Sequence, residues 1–229
     1  MSTKFKLPTE TVVLPSKGLL YPEDSPLSKG ELEMKYMTAK EEDILTNSNY
    51  INNGTVIDKL LQSLIITENI NYDDLLIGDK NAIMVAARIL SYGKDYNIRY
   101  RGSDEVVDLS KLEERKVDIK KLEGGKNEFD YTMPTSKVNL TYKILNHADE
   151  KAIEEELAGL AKIDPEANAE VTTRLKFSIT SVEGSKESAD KTLSLITELK
   201  NKGVKIWFDF NYRPTLEKSY EAISYFKKA

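Results

Sequence analysis

Asp73 and Asp74 stand side by side, with Asp79 a few residues on, and paired carboxylates can do acid–base or metal-assisted work. Neighbours in sequence rarely converge on one point, however, and no glycine-bearing calcium-loop spacing follows them. Asx residues favour helix starts, so capping or solvated roles are the stronger reading. The runs Glu41-Glu42-Asp43 and Glu154-Glu155-Glu156 sit where helices should begin, where the helix dipole favours anions. His147 is the one histidine and there is no cysteine, which removes thiolate metal sites, disulfides and most zinc or general-base designs. As a lone histidine just ahead of a helix it reads as a surface or capping residue. Gly124-Gly125-Lys126 lacks the upstream glycine, the following Ser or Thr and the strand-to-helix setting of a phosphate loop. No G-x-S-x-G elbow occurs. The expectation is a protein that is not an enzyme and takes no cofactor, metal or small-molecule substrate. A carboxylate-dependent metal hydrolase built around Asp73, Asp74 or Asp79 is the alternative from another class.

These residues sit on a chain of 229 positions, 40% hydrophobic and 31% charged, long enough for a real core and one or two domains. The net charge of −5 makes nucleic acid a poor first choice of partner. The basic residues between Lys111 and Lys126 are interleaved with acids and lack aromatics for stacking. No stretch has signal-peptide form or the roughly 20 apolar residues of a membrane span, so a cytoplasmic protein is expected.

The elements that must position any site read as α+β. VVLPSKGLLYP, residues 12 to 22, places Pro15 and Gly18 where a turn would need them and suggests a small hairpin or hooked arm. ELEMKYM alternates as a half-buried strand with Leu32, Met34 and Tyr36 on one side. Thr38 and Glu41 are spaced as a capping box, and the helix they open should stop before the asparagine-rich TNSNYINNG. TVIDKLLQSLI carries one apolar helical stripe. Asp79 is the N-cap candidate for the helix KNAIMVAARILSYG, which should end at Gly93 and form the centre of the N-terminal core.

YNIRYR alternates as a strand, VDLSKLE and VDIKKLE are near copies, and NEFDYTMPTSKVNLTYKIL reads as two strands turning near Pro134. DEKAIEEELAGLAK is a helix; AEVTTRLKFSITSVEG fits helix or strand, with helix favoured for its length. Helices after Ser185 and Pro214 should flank an aromatic strand, 204 to 212. The organisation expected is a helical domain with its N-terminal hairpin or arm over 1–93, a β-rich insert over 94–145 and a C-terminal helical region over 146–229.

What remains is surface for partners. Val12, Val13, Leu14, Pro15, Gly18, Leu19, Leu20, Tyr21 and Pro22 could add a strand to a neighbour's sheet edge, with Leu14, Leu20 and Tyr21 filling pockets. A proline-stiffened arm loses less freedom on docking than a flexible one. The competing reading, held evenly, is that this stretch covers the protein's own core. Trp207, Phe208, Phe210 and Tyr212 put four aromatics on one short strand, buried if central and an interface if at an edge.

LPSKGLLYP, ELEMKYMTAKEEDILTN, GTVIDKLLQSLI and DDLLIGDKNAIMVAARILSYG, in this order, resemble the baseplate hub and hub-assembly protein family of T-even-type contractile-tailed phages. The likeness covers about residues 12 to 100, and continues more loosely through VDLSKL, FDYTMPTSKVNLTYKIL and EVTTRLKFSITSVEGS. It implies a non-enzymatic protein that builds the central hub through contacts with other baseplate and hub proteins. Such a protein works in the host cytoplasm during assembly. It either stays in the virion tail baseplate or leaves as a transient chaperone. Similar proteins carry cysteine pairs near YNIRYRGS and near the C-terminus, suggesting a metal-stabilised insert. This chain has none, so its insert must hold by packing and strand pairing.

Overall fold

The structure is a computed structural model that describes residues 8–112, 122, 125–134, 137–163 and 169–184. All belong to the first, Met1–Glu187, of two units into which the chain divides. The fold is α+β, with helices and three small antiparallel sheets.

Strand β1 (Thr9–Val13) pairs antiparallel with β2 (Glu31–Lys35), placing Val12 opposite Leu32. Alternation buries Val12, Leu32 and Met34 on one face, while Tyr36, beyond the end of β2, is exposed. The stretch 12–22 is therefore not a tight hairpin: only Val12 and Val13 pair with residues 32 and 31, and residues 14 to 30 form a hook between the two strands. Successive turns shape the hook, with N–H groups of Lys17, Leu19 and Tyr21 donating to the carbonyls of Leu14, Ser16 and Gly18. The backbone passes so close to itself that a Cβ on Gly18 would lie 2.2 Å from the Ser28 carbonyl oxygen. Gly18 also has φ +77, which only glycine adopts without strain.

Helix α1 (Ala39–Leu45) starts at the Thr38–Glu41 capping box. The asparagine-rich stretch is not a plain loop: Asn47 caps a short helix α2 (Ser48–Asn52), accepting from the N–H groups of Asn49 and Tyr50. Helix α3 (Val56–Leu64) buries Leu60, Leu61 and Leu64. A 3₁₀ turn, Tyr72–Asp74, leads to α4 (Ile77–Tyr92), which ends at Gly93. Asp79 is not the N-cap of α4. Leu76 holds that position and Asp79 is the third helical residue, because its carboxylate is engaged elsewhere. Nor is α4 wholly apolar in its surroundings. It buries Ile83 and Ala87 but leaves Met84 and Tyr92 exposed, and the bulk of the core comes from the hook, β2 and α3.

Strands β3 (Asp95–Tyr100) and β4 (Ser103–Asp108) form a separate two-stranded hairpin. Strands β5 (Phe129–Thr132) and β6 (Asn139–Tyr142) pair as expected on either side of Pro134. Helix α5 (His147–Ile163) buries Ile153. The ambiguous stretch 169–184 resolves into both forms. Helix α6 (Glu170–Ser178) runs directly into β7 (Ile179–Val182), which pairs with β6. The helical reading of the whole stretch overran because residues 179 to 182 pair with the edge that β6 offers, a partner no local period reveals. The two halves of the described chain meet where His147 N–H donates to Leu75 O and Ile77 N–H donates to Leu145 O. Phe129 packs against the N-terminal core. Most of the second VDLSKLE-like copy, and everything expected between 185 and 229, lie outside the described residues. That includes the strand with Trp207, Phe208, Phe210 and Tyr212.

Candidate functional site

Three groups of side chains carry polar or exposed chemistry, and each is set by the elements above. The first is the hook's anchor. Asp79 projects from the first turn of α4 and is 1% exposed. One carboxylate oxygen accepts the Ser16 N–H at 2.9 Å, and the other accepts the Ser16 hydroxyl and the Tyr21 phenol, both at 2.6 Å. The same phenol oxygen accepts the Leu76 N–H at 3.0 Å, so Tyr21 also caps the helix that carries Asp79. Burial, reinforced by the adjacent Asp79 carboxylate, pushes the Tyr21 phenol well above its ordinary value. Val12, Leu14, Leu20 and Tyr21 are buried in the protein's own core, and Gly18 is buried beside them. Of the stretch weighed as a partner contact, Val13, Pro15 and Pro22 remain exposed and Leu19 is half-buried.

The second group gathers at the start of α5. The Lys80 ammonium lies 2.6 Å from Asp58 Oδ1 and donates to His147 Nδ1 at 3.0 Å. The imidazole proton therefore sits on Nε2, which faces Asp58 Oδ2 at 3.6 Å and Asp73 Oδ1 at 3.9 Å. Tyr72 donates its hydroxyl to Asp58 and meets the His147 ring edge-on, with centroids 4.8 Å apart. Burial raises the Asp58 carboxyl, but bonds from Lys80 and Tyr72 outweigh it and hold it below its usual range. His147 is thus a buried member of an ionic network, not a surface residue, and it is the first residue of α5. The network ties α3, the 3₁₀ turn, α4 and α5 together. Asp73 and Asp74 are exposed, and Asp79 is spent on the hook. Among the described residues, no group of three or more His, Cys, Asp or Glu side chains is placed to hold a metal ion. No helix among them is long and apolar enough to cross a membrane.

The third group is bare. Met84, Arg88 and Tyr92 line the outer side of α4 at four-residue spacing, and Tyr96 and Tyr100 continue the run onto β3. The Arg88 guanidinium lies 5.0 Å from the Tyr92 ring centroid and 5.5 Å from that of Tyr96, and donates to the carbonyls of Gly93 and Asp95. Arg101 covers the Tyr100 ring at 5.1 Å. All three tyrosines are about half exposed, at 52%, 45% and 51%. The foot of the hairpin is fastened by Asp108, which accepts from Lys94 at 2.9 Å and from the Ser110 N–H and hydroxyl. The Ser110 and Lys94 bonds hold the Asp108 carboxyl down to about 2. Beyond that foot neither face of the hairpin is covered, for every residue from Asp95 to Asp108 is exposed or at most half-buried.

No protein-family model matches the chain, and no curated protein or solved structure shows significant similarity to it.

The bare face is the candidate feature that sequence reasoning missed. YNIRYR reads as a strand, but its exposure depends on its partner. The signal was present in SDEVVD: a strand with three acids in six residues cannot bury the other half of a hairpin. The four-residue recurrence of tyrosine at 92, 96 and 100 across a helix end was a second cue.

Proposed function

We propose that this chain is a non-enzymatic hub protein of the baseplate of a T-even-type contractile-tailed phage, acting by protein–protein contacts in assembly of the central hub. The reading is supported by the four ordered sequence stretches and carried by one observation of geometry. The face made by Met84, a half-buried Arg88 and Tyr92 on α4, and by Tyr96 and Tyr100 on a hairpin too small to be stable alone, is open to solvent. Tyrosine, arginine and methionine are the residues enriched where proteins meet. The tyrosines present large area at little cost in lost side-chain freedom, and Arg88 is already held in place by two carbonyls and two rings. The partners are other hub and baseplate proteins, met in the host cytoplasm during assembly.

The test is capture of a tagged chain from cells infected by the phage that encodes it, with mass spectrometry of bound proteins and of purified particles. Hub subunits should co-purify with the wild-type chain, and a Tyr96→Ser/Tyr100→Ser variant should lose them while its circular dichroism spectrum is unchanged. Presence in particles makes it a permanent component. Presence only in assembly intermediates makes it a helper that leaves. Failure to recover any hub protein would sink the reading.

A further inference from the structure

The β3–β4 hairpin has two outer edges, and among the described residues no backbone hydrogen bond from elsewhere pairs along either one. They are not equivalent. Strand β4 carries Asp104, Glu105 and Asp108 with no basic residue, which guards that edge against a like strand. Strand β3 carries Asp95 and Arg99, with Arg101 just past its end, and is balanced. We propose that β3 pairs antiparallel with β3 of a second copy of this chain, joining two hairpins into one four-stranded sheet.

The register follows from the hairpin itself. Arg101 and Gly102 both have positive φ and form a two-residue loop, which makes Tyr100 and Ser103 a hydrogen-bonded pair. Alternation turns the backbone groups of Tyr96, Ile98 and Tyr100 toward β4 and those of Asp95, Asn97 and Arg99 outward. Two bonds at the hairpin foot agree. Lys94 O accepts from Leu109 on the β4 side, and Asp95 O is free to accept from Arg88.

Outward groups must pair with outward groups, and Arg88 already occupies the Asp95 carbonyl. Centring on Asn97 would need that carbonyl and centring on Arg99 would set two arginines together, which leaves the two-fold arrangement centred on Ile98. It sets Asn97 against Arg99 of the second copy, Tyr96 against Tyr100, and Asp95 beside Arg101. Each Asp95 thus meets an arginine that makes no ion pair with the described residues of its own chain. The tyrosine faces of the two copies become continuous. This pairing is a property of the isolated chain and does not depend on the hub reading.

Sedimentation of the full chain tests it. The wild type should show a concentration-dependent monomer–dimer equilibrium with micromolar dissociation. Asn97→Pro removes an outward N–H that has no partner among the described residues, a substitution an edge strand accommodates, and should leave a folded monomer. Asp95→Arg and Arg101→Asp should each weaken the dimer at least about tenfold by setting like charges together. The double variant Asp95→Arg/Arg101→Asp should restore it. A wild-type chain that stays monomeric to about 100 µM overturns the proposal. So does a dimer indifferent to Asn97→Pro. A double variant no tighter than its parents overturns the register.

Discussion

The first part of the hook, Leu14 to Pro22, and the hairpin from Asp95 to Asp108 both set tyrosines among aliphatic residues, and the fold treats them in opposite ways. The hook has a buried acceptor waiting for it: Asp79 takes three hydrogen bonds from Ser16 and Tyr21, and the surrounding leucines close over the phenol. The hairpin is fastened only at its foot, by Asp108 and Arg88, and its tyrosines meet solvent. Apolar composition alone does not decide which segment a chain keeps for itself. What decides it is whether the rest of the chain supplies a complementary seat, with both apolar walls and partners for the polar tips.

The comparison breaks most sharply at Asp79. Asp79→Ala leaves the Tyr21 hydroxyl and the Ser16 groups without their acceptor, and should cost roughly 3–5 kcal/mol in urea unfolding. An intact unfolding midpoint would mean that the leucines alone hold the hook.

Carboxylates sharpen it next. Glu41 is fully buried and accepts from Lys35 at 2.7 Å, Ser63 at 2.6 Å and the Thr38 N–H at 3.0 Å. Burial pushes its carboxyl up, but these bonds prevail and bring it from 4.5 down to about 2. A folded-state value below the unfolded one gives stability that is complete above about pH 4.5 and lost as pH falls toward 2, worth roughly 3 kcal/mol. Acid titration followed by circular dichroism should show this limb in the wild type and lose it in Glu41→Gln. Asp108 is held equally low but sits at the exposed foot of the hairpin, so Asp108→Asn should leave the limb where it is.

The tyrosines give the smaller contrasts. Tyr21→Phe keeps the ring and deletes one donor and one acceptor, for a loss of about 2 kcal/mol in the same unfolding measurement. Tyr100→Ser, on the bare face, should change stability by no more than about 0.5 kcal/mol.

Local patterns were legible in the sequence wherever local rules govern them. The Thr38–Glu41 box, the stripe of α3, the end of α4 at Gly93 and the β5–β6 pair all rest on spacing within a dozen residues. The seats of Tyr21 and His147 were not legible, because their partners lie 58 and 67 positions away in Asp79 and Lys80. Asp79 drew attention as an acid near a helix start, yet nothing local says that its carboxylate faces inward. Exposure of Tyr96 and Tyr100 likewise depends on what the rest of the chain declines to place over them. The α+β class survives such gaps, since period and caps set it; the site does not, since only tertiary neighbours do.

The span between Tyr21 and Asp79 also sets a schedule for the nascent polypeptide. At about 5–20 residues per second of translation, the acceptor is synthesised roughly 3–12 s after the tyrosine that needs it. Throughout that delay Leu14, Leu20 and the phenol have no interior to enter. This early segment therefore cannot settle until the first turn of α4 has been made.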